Sequence, residues 1–133
     1  MDKIITIDGR EVGFKASALT PRLYRAWLGR DMIADMNKLS KAFSKAQKIT
    51  NDMTEEEKTE AQLKVADLEV FENCAWVMAR HYDKNVADNP DDWLDTFTMF
   101  SIYEILPILL ELWAINNQTT STPKKSSTER PRA

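Results

Sequence analysis

From Val70 to Ala79 the chain reads Val-Phe-Glu-Asn-Cys-Ala-Trp-Val-Met-Ala, and apolar residues fall on almost every side of a helix drawn through it. A surface helix confines its apolar residues to one stripe, whereas apolar residues all round need cover on several sides. This helix therefore belongs inside a bundle and is the central element of the fold. It is expected to open at Thr54-Glu55-Glu56-Glu57, a capping box in which Thr54 caps and Glu57 reaches back. The periodicity carries it to about Tyr82, with Ala61, Val65, Leu68, Phe71, Ala75, Met78 and Tyr82 as its stripe.

The segments that must cover it can be read on both sides. Near the N-terminus Ile5 and Ile7 alternate with polar neighbours, as do Val12, Phe14 and Ala16, and Asp8-Gly9 between them is a favoured tight-turn pair. A lone hairpin is marginal in water, so its apolar face has to lie on the helices. Thr20-Pro21 reads as a helix start, with the hydroxyl as cap and proline where no amide donor is needed. Leu23 and Trp27 share a face of that helix before Gly29 interrupts it. Asp31 then caps a second helix carrying Met32, Met36, Leu39 and Phe43 on one side and Lys38, Lys41 and Lys45 on the other. Gln47 to Met53 reads as a loop, as does Asp83 to Asn89, and Asn89-Pro90-Asp91-Asp92 starts a further helix with acids at its positive end. Ser101 with Glu104 suggests a second capping box, opening a helix to about Ile115 that Pro107 should kink. From Gln118 the chain is rich in Ser, Thr, Pro and Lys, without large apolar residues, and should be disordered. The expected fold is α+β and mainly α-helical. A short N-terminal β-hairpin, about residues 3–16, packs on a bundle of about four to five helices in one domain, 1–116, followed by a disordered basic tail, 117–133.

Charge and cysteine usage narrow the function classes. The 133 residues carry 21 acidic and 18 basic side chains, a net charge of −3, and suit one domain. The single Cys74 cannot form an internal disulfide and suits a reducing cytosol. No signal peptide is expected at Met-Asp-Lys-Ile-Ile-Thr-Ile, and Thr96 to Ile115, broken by Glu104, Pro107 and Glu111, is a poor membrane span. The charge is uneven. Arg22 to Lys48 carries a local +5, whereas Asp52–Glu60 and Asp83–Asp95 each carry −4. Lys124, Lys125, Arg130 and Arg132 against Glu129 give the tail +3, so the body carries −6. Tyr24 and Trp27 lie among Arg22, Arg25 and Arg30, a weak match to a nucleic-acid surface. The acidic total favours a different arrangement, with Trp27 in the core and the cations paired with the Asp52–Glu60 helix start.

The residues that could carry chemistry are sparse. His81 is the only histidine, with no nucleophile-elbow glycine pattern, and reads as a helix-end residue. Cys74 lies in the most buried segment and reads as an inert core thiol. Asp83 and Asn85 match the start of a calcium loop, but Ala87, Asp88 and Leu94 fail its later positions. Three glycines, Gly9, Gly13 and Gly29, meet neither dinucleotide nor phosphate-loop spacing, and zinc spacing is absent. The expectation is a non-enzyme with no catalytic residues, no cofactor and no metal. An apolar surplus remains. Four tryptophans and six methionines are many for a small helical domain, and Ile105-Leu106-Pro107-Ile108-Leu109-Leu110-Glu111-Leu112-Trp113 points apolar groups to nearly all sides. That composition supports a binding module.

Four segments, in order and spacing, resemble the tail assembly chaperones of long-tailed bacteriophages and prophages of Gram-positive hosts. They are Ile5-Thr6-Ile7-Asp8-Gly9 with Val12-Gly13-Phe14-Lys15-Ala16, then Thr20-Pro21-Arg22-Leu23-Tyr24-Arg25, then Gly29-Arg30-Asp31-Met32-Ile33, and lastly Glu104-Ile105-Leu106 through Glu111-Leu112-Trp113. The resemblance implies a protein that binds the tape measure protein, holds it soluble in the host cytoplasm and is absent from the mature virion. It also implies self-association, and recruitment of tail tube protein through a longer product made by programmed frameshifting. Lys124-Lys125 is a candidate place for the slippery site. Neither nucleic acid nor membrane is an expected partner. The candidate partner-binding face is Ile105, Leu109, Leu112 and Trp113 of the last helix, with Met32 and Met36 as a second contribution. A buried stripe would show the same pattern. Two other readings stay open, a structural virion protein (a minor tail or head–tail connector component) and a small DNA-binding regulator.

Overall fold

The computed structural model describes the backbone of residues 1–120 and the side chains of residues 1–114. Strands β1 (Asp2–Ile7) and β2 (Arg10–Lys15) pair antiparallel with Ile7 opposite Arg10. Asp8 and Gly9 are left as a two-residue turn, both with positive φ, 55° and 80°. Such a turn matches the twist of its strands only when both central residues accept the left-handed region, which aspartate tolerates and glycine favours. Asp8 has a second role, since its carboxylate accepts the Thr98 amide at 2.7 Å. Next to it the Arg10 guanidinium donates to Thr96 Oγ1 and lies 4.0 Å from the centre of the Phe97 ring. The hairpin is thereby tied at its tip to the loop before the last helix.

Among the described residues six helices follow: α1 (Thr20–Leu28), α2 (Met32–Gln47), α3 (Glu55–Ala61), α4 (Val65–Tyr82), α5 (Pro90–Leu94) and α6 (Ile102–Thr120). Strand β2 and helices α1, α2, α5 and α6 all pack on α4. Seven residues of α4, Phe71 and Cys74–Ala79, are buried, so the all-round apolar segment is covered on all sides as its pattern required. Phe14 from β2, Tyr24 from α1, Met36 and Leu39 from α2 and Leu106 and Leu109 from α6 complete this core. At one end Trp93 of α5 packs edge-on against Phe14, Phe97 and Phe100, and Phe100 stacks on Phe71. Where β2 crosses α4 the Tyr82 ring lies so close to Gly13 that a Cβ has no room.

Caps explain most of the boundaries, and three differ from expectation. The long helix expected from Thr54 to Tyr82 is broken. Thr54 and Glu57 do form the capping box of α3, but Gln62 leaves the helix with ψ 150° and Lys64 is extended. The Asp67 carboxylate then accepts the Lys64 amide at 2.8 Å and opens α4 afresh. Because of the break Val65 and Leu68 lie exposed instead of in the stripe, and Leu63 packs against the core from the connecting segment. The hydroxyl of Thr20 does not cap α1. It is buried, within the first turn, and accepts the Ser17 amide, while Ser17 Oγ accepts the Leu19 amide. Helix α6 continues to Thr120, past the expected end of the folded body at 116, and residues 121–133 of the expected tail lie outside the described residues. Ser101 and Glu104 meet through their backbones, Glu104 N to Ser101 O at 3.3 Å. Pro107 lies within α6, and it and Tyr103, whose carbonyl loses its helical partner, are both exposed. Asp31 and Asn89 cap α2 and α5 as expected, and Gly29 ends α1 at φ 69°.

One polar group is buried with large consequences. Asp35 of α2 is 5% exposed and accepts the Tyr24 hydroxyl from α1 at 2.7 Å, together with two guanidinium bonds from Arg30 at 2.6 and 2.8 Å. A buried carboxylate is tolerable only when its lone pairs are filled in this way. The Arg30 bonds hold its carboxyl below the usual range, and burial raises the Tyr24 phenol. Tyr24→Phe is therefore expected to cost about 1.5–3 kcal/mol in urea unfolding, the worth of a hydrogen bond to a charged group. Since the Asp35 pKa is lower folded than unfolded, its contribution is full above the ordinary value of 3.8 and lost as pH falls through the folded one. Acid titration of Asp35→Asn should accordingly show less loss of stability below pH 3.8 than the wild type.

Candidate functional site

The residues expected to meet a partner are all in the core. Ile105, Leu109, Leu112 and Trp113 of α6, and Met32 and Met36 of α2, are each no more than 8% exposed. The pattern was compatible with either place, and the packing of α2 and α6 on α4 decides it. The exposed side of α6 presents Tyr103, Glu104, Pro107, Glu111 and Ala114 instead. The six residues are thus corrected from contact face to core.

A different apolar surface is open. Leu19, Leu23 and Trp27 recur every four residues and form a stripe along α1, about 12 Å long at the helical rise. Together with Arg80 and His81 at the end of α4 and Lys84 just beyond it they line a groove of about 320 Å³. Trp27 is 39% exposed, contrary to the core position expected for it. The reason lies in which side of α1 is taken inward. Thr20 and Tyr24 are the buried pair, and Leu19, Leu23 and Trp27 each precede that side by one residue, about 100° around the helix. The Trp27 ring is backed by its neighbours. The Trp27 and Trp76 rings are 5.4 Å apart, and the Arg80 guanidinium lies 5.6 Å from the centre of Trp27. Arg80 also donates to the Val86 carbonyl at 2.7 Å and Trp76 Nε1 to Ala87 at 2.8 Å, which folds the 83–89 loop back on α4.

His81 has a partner the sequence did not disclose. Its Nε2 lies 2.9 Å from Ser17 Oγ, residues 64 positions apart brought together where the hairpin passes into α1. Ser17 Oγ already accepts the Leu19 amide, so its hydroxyl proton is free to bond the imidazole and the contact fastens this turn to α4. Burial lowers the histidine pKa, and Lys15 adds to the effect. Cys74 is fully buried beneath Tyr24, and burial pushes its thiol up to about 12. In the acidic loop, Asp83 accepts the Asn85 amide and Asn89 caps α5. Among the described residues no group of three or more His, Cys, Asp or Glu side chains is placed to hold a metal ion, and no helix is long and apolar enough to cross a membrane.

Few of the charges pair directly. Among the described residues the ion pairs are Arg30–Asp35 and Lys58–Glu55, the latter at 3.6 Å within α3. The pairing expected between the Arg22–Lys48 stretch and the acidic helix start is not formed. Lys41 and Lys45 instead share with Glu60 and Asp67 the lining of a cleft between α2 and the α3–α4 junction. On another part of α4, Glu72 is half-buried, and burial followed by the charges of Glu69 and Asp91 raises its pKa.

No family model matches the chain, and no curated protein or solved structure is significantly similar to it. The arrangement offers an apolar groove with a basic edge. Two measurements check the division between core and surface. Leu109→Ala should cost about 2–5 kcal/mol in urea unfolding, as fully buried leucines do. Cys74 should react with an alkylating reagent only as fast as the protein opens, because its thiolate is suppressed by burial.

Proposed function

We propose that this protein is a tail assembly chaperone that binds the tape measure protein, keeps it soluble and helps recruit tail tube subunits during tail assembly. The observation that carries the reading is the stripe Leu19, Leu23 and Trp27, backed by Trp76, in which Leu19 is 46% and Trp27 39% exposed and Leu23 is partly buried. A stripe at i, i+4, i+8 is complementary to the apolar face of another amphipathic helix. Long helical proteins that expose such faces aggregate unless those faces are covered. Supporting it is the resemblance of four segments, two of which contribute Leu23 with Arg22 and the Gly29-Arg30-Asp31 junction that ends α1 and opens α2. In this role the protein acts in the host cytoplasm, self-associates along its client and leaves before the virion is complete. Contact with tube protein falls to a longer frameshifted product whose extra domain follows the Lys124-Lys125 region.

Co-expression tests this directly. The tape measure protein encoded beside this gene should move from the pellet to the soluble fraction when the chain is present, and co-purify with it. Mature virions should contain none of the chain by mass spectrometry. A tape measure protein equally insoluble with and without the chain would sink the reading, and recovery of the chain from purified virions would turn it toward a structural component.

A further inference from the structure

We propose that the groove between α1 and the end of α4 receives an acidic amphipathic helix, with the partner's apolar residues on Leu19, Leu23 and Trp27 and its carboxylates on Arg80, Lys84 and Arg22. The proposal rests on the chaperone reading for the identity of the client, but its chemistry stands on the groove alone. Three of the six lining residues are apolar and three are Arg80, His81 and Lys84, with no carboxylate among them. Arg22, exposed three residues beyond Leu19, extends the positive edge along α1. Asp83, next to Lys84, is turned into its own loop by its bond to the Asn85 amide. On a protein whose body carries net negative charge, a positive edge around an apolar bed is a local inversion of sign. It attracts acidic helices and rejects basic ones by the same charges.

The energetics divide between the two parts. Trp27 is the anchor: a large ring, partly exposed, held from behind by Trp76 and from the side by Arg80, so little freedom is lost on binding. The cations set orientation and discrimination, with Lys84 and Arg22 each worth little alone because they are solvated and Arg80 already held by Val86 and Trp27. The open stripe spans about 12 Å, which accommodates two to three turns of a partner helix.

Two synthetic peptides of about 20 residues, sharing one leucine stripe but flanked by Glu in one and by Lys in the other, test the proposal when titrated against the full chain by fluorescence anisotropy. The Glu peptide should bind saturably and the Lys peptide at least about tenfold more weakly, with added salt narrowing the difference. Trp27→Ala should weaken the Glu peptide about tenfold or more. Leu19→Asp and Lys84→Glu, at exposed positions where the fold is not at stake, should each weaken it by about two- to tenfold. Equal binding of both peptides, no binding of either, or binding of the Glu peptide that Leu19→Asp and Lys84→Glu leave unchanged would overturn the proposal. So would a dimer in sedimentation that Leu19→Asp dissociates, since a second copy would then occupy the groove. The co-expression assay separates this from the wider reading: a tape measure protein kept soluble by wild type and by Leu19→Asp alike removes the groove's role and leaves the chaperone.

Discussion

The burial of α4 on every side is the constraint from which the rest of the architecture follows. A helix with Phe71 and Cys74–Ala79 all inside cannot sit at a surface, and one neighbour cannot cover it. Five elements are therefore drawn onto it, and each supplies large apolar side chains, worth on the order of 1.5–3 kcal/mol apiece when fully buried. The hairpin, marginal alone, acquires a partner surface. Gly13 is spent on close passage beside Tyr82, and Phe14 reaches the ring cluster around Trp93. With β2, α1, α2 and α5 also on α4, α6 lies with Leu106 and Leu109 inward, while Tyr103 stays exposed.

Polar interactions decide register within that frame. Asp35 is the clearest case, because its carboxylate gathers Tyr24 from α1 and Arg30 from the α1–α2 junction at once. By drawing Tyr24 inward it sets the rotation of α1 about its axis. That rotation leaves Leu19 and Trp27 exposed and Leu23 only partly buried. The groove is in this sense a by-product of a buried hydrogen bond on the neighbouring side of the same helix. The Ser17–His81 contact and the Arg80 and Trp76 bonds to the 83–89 loop hold the groove's other wall.

Much of the fold was legible from local rules. The Asp8-Gly9 turn, the Asp31 and Asn89 caps, the Thr54–Glu57 box and the helix around Cys74 depend on residues a few positions apart, where turn and cap chemistry act directly. The break at Gln62–Lys64 was hidden because α3 and α4 continue one another's periodicity across it. Its signal was Asp67, an acid three residues after Lys64, which offers the chain a new start. The candidate site was less legible. Leu109 and Trp27 carry the same kind of information in a sequence, an apolar residue at helical spacing, yet one is fully buried and the other is open to solvent.

The sequence by itself determined that the chain is mainly helical behind an N-terminal hairpin and that the segment around Cys74 is central. It also determined where most helices begin, because those outcomes follow from periodicity, turns and caps that close over a few residues. Only the tertiary structure decided which apolar faces are spent on the core. That choice depends on how five elements share one helix, and on long-range pairs such as Ser17 with His81 and Asp8 with Thr98. Periodicity says that a face must be covered. It does not say by what, and here the Leu109 face of α6 and the Met36 face of α2 are covered from within while Leu19 and Trp27 on α1 stay exposed.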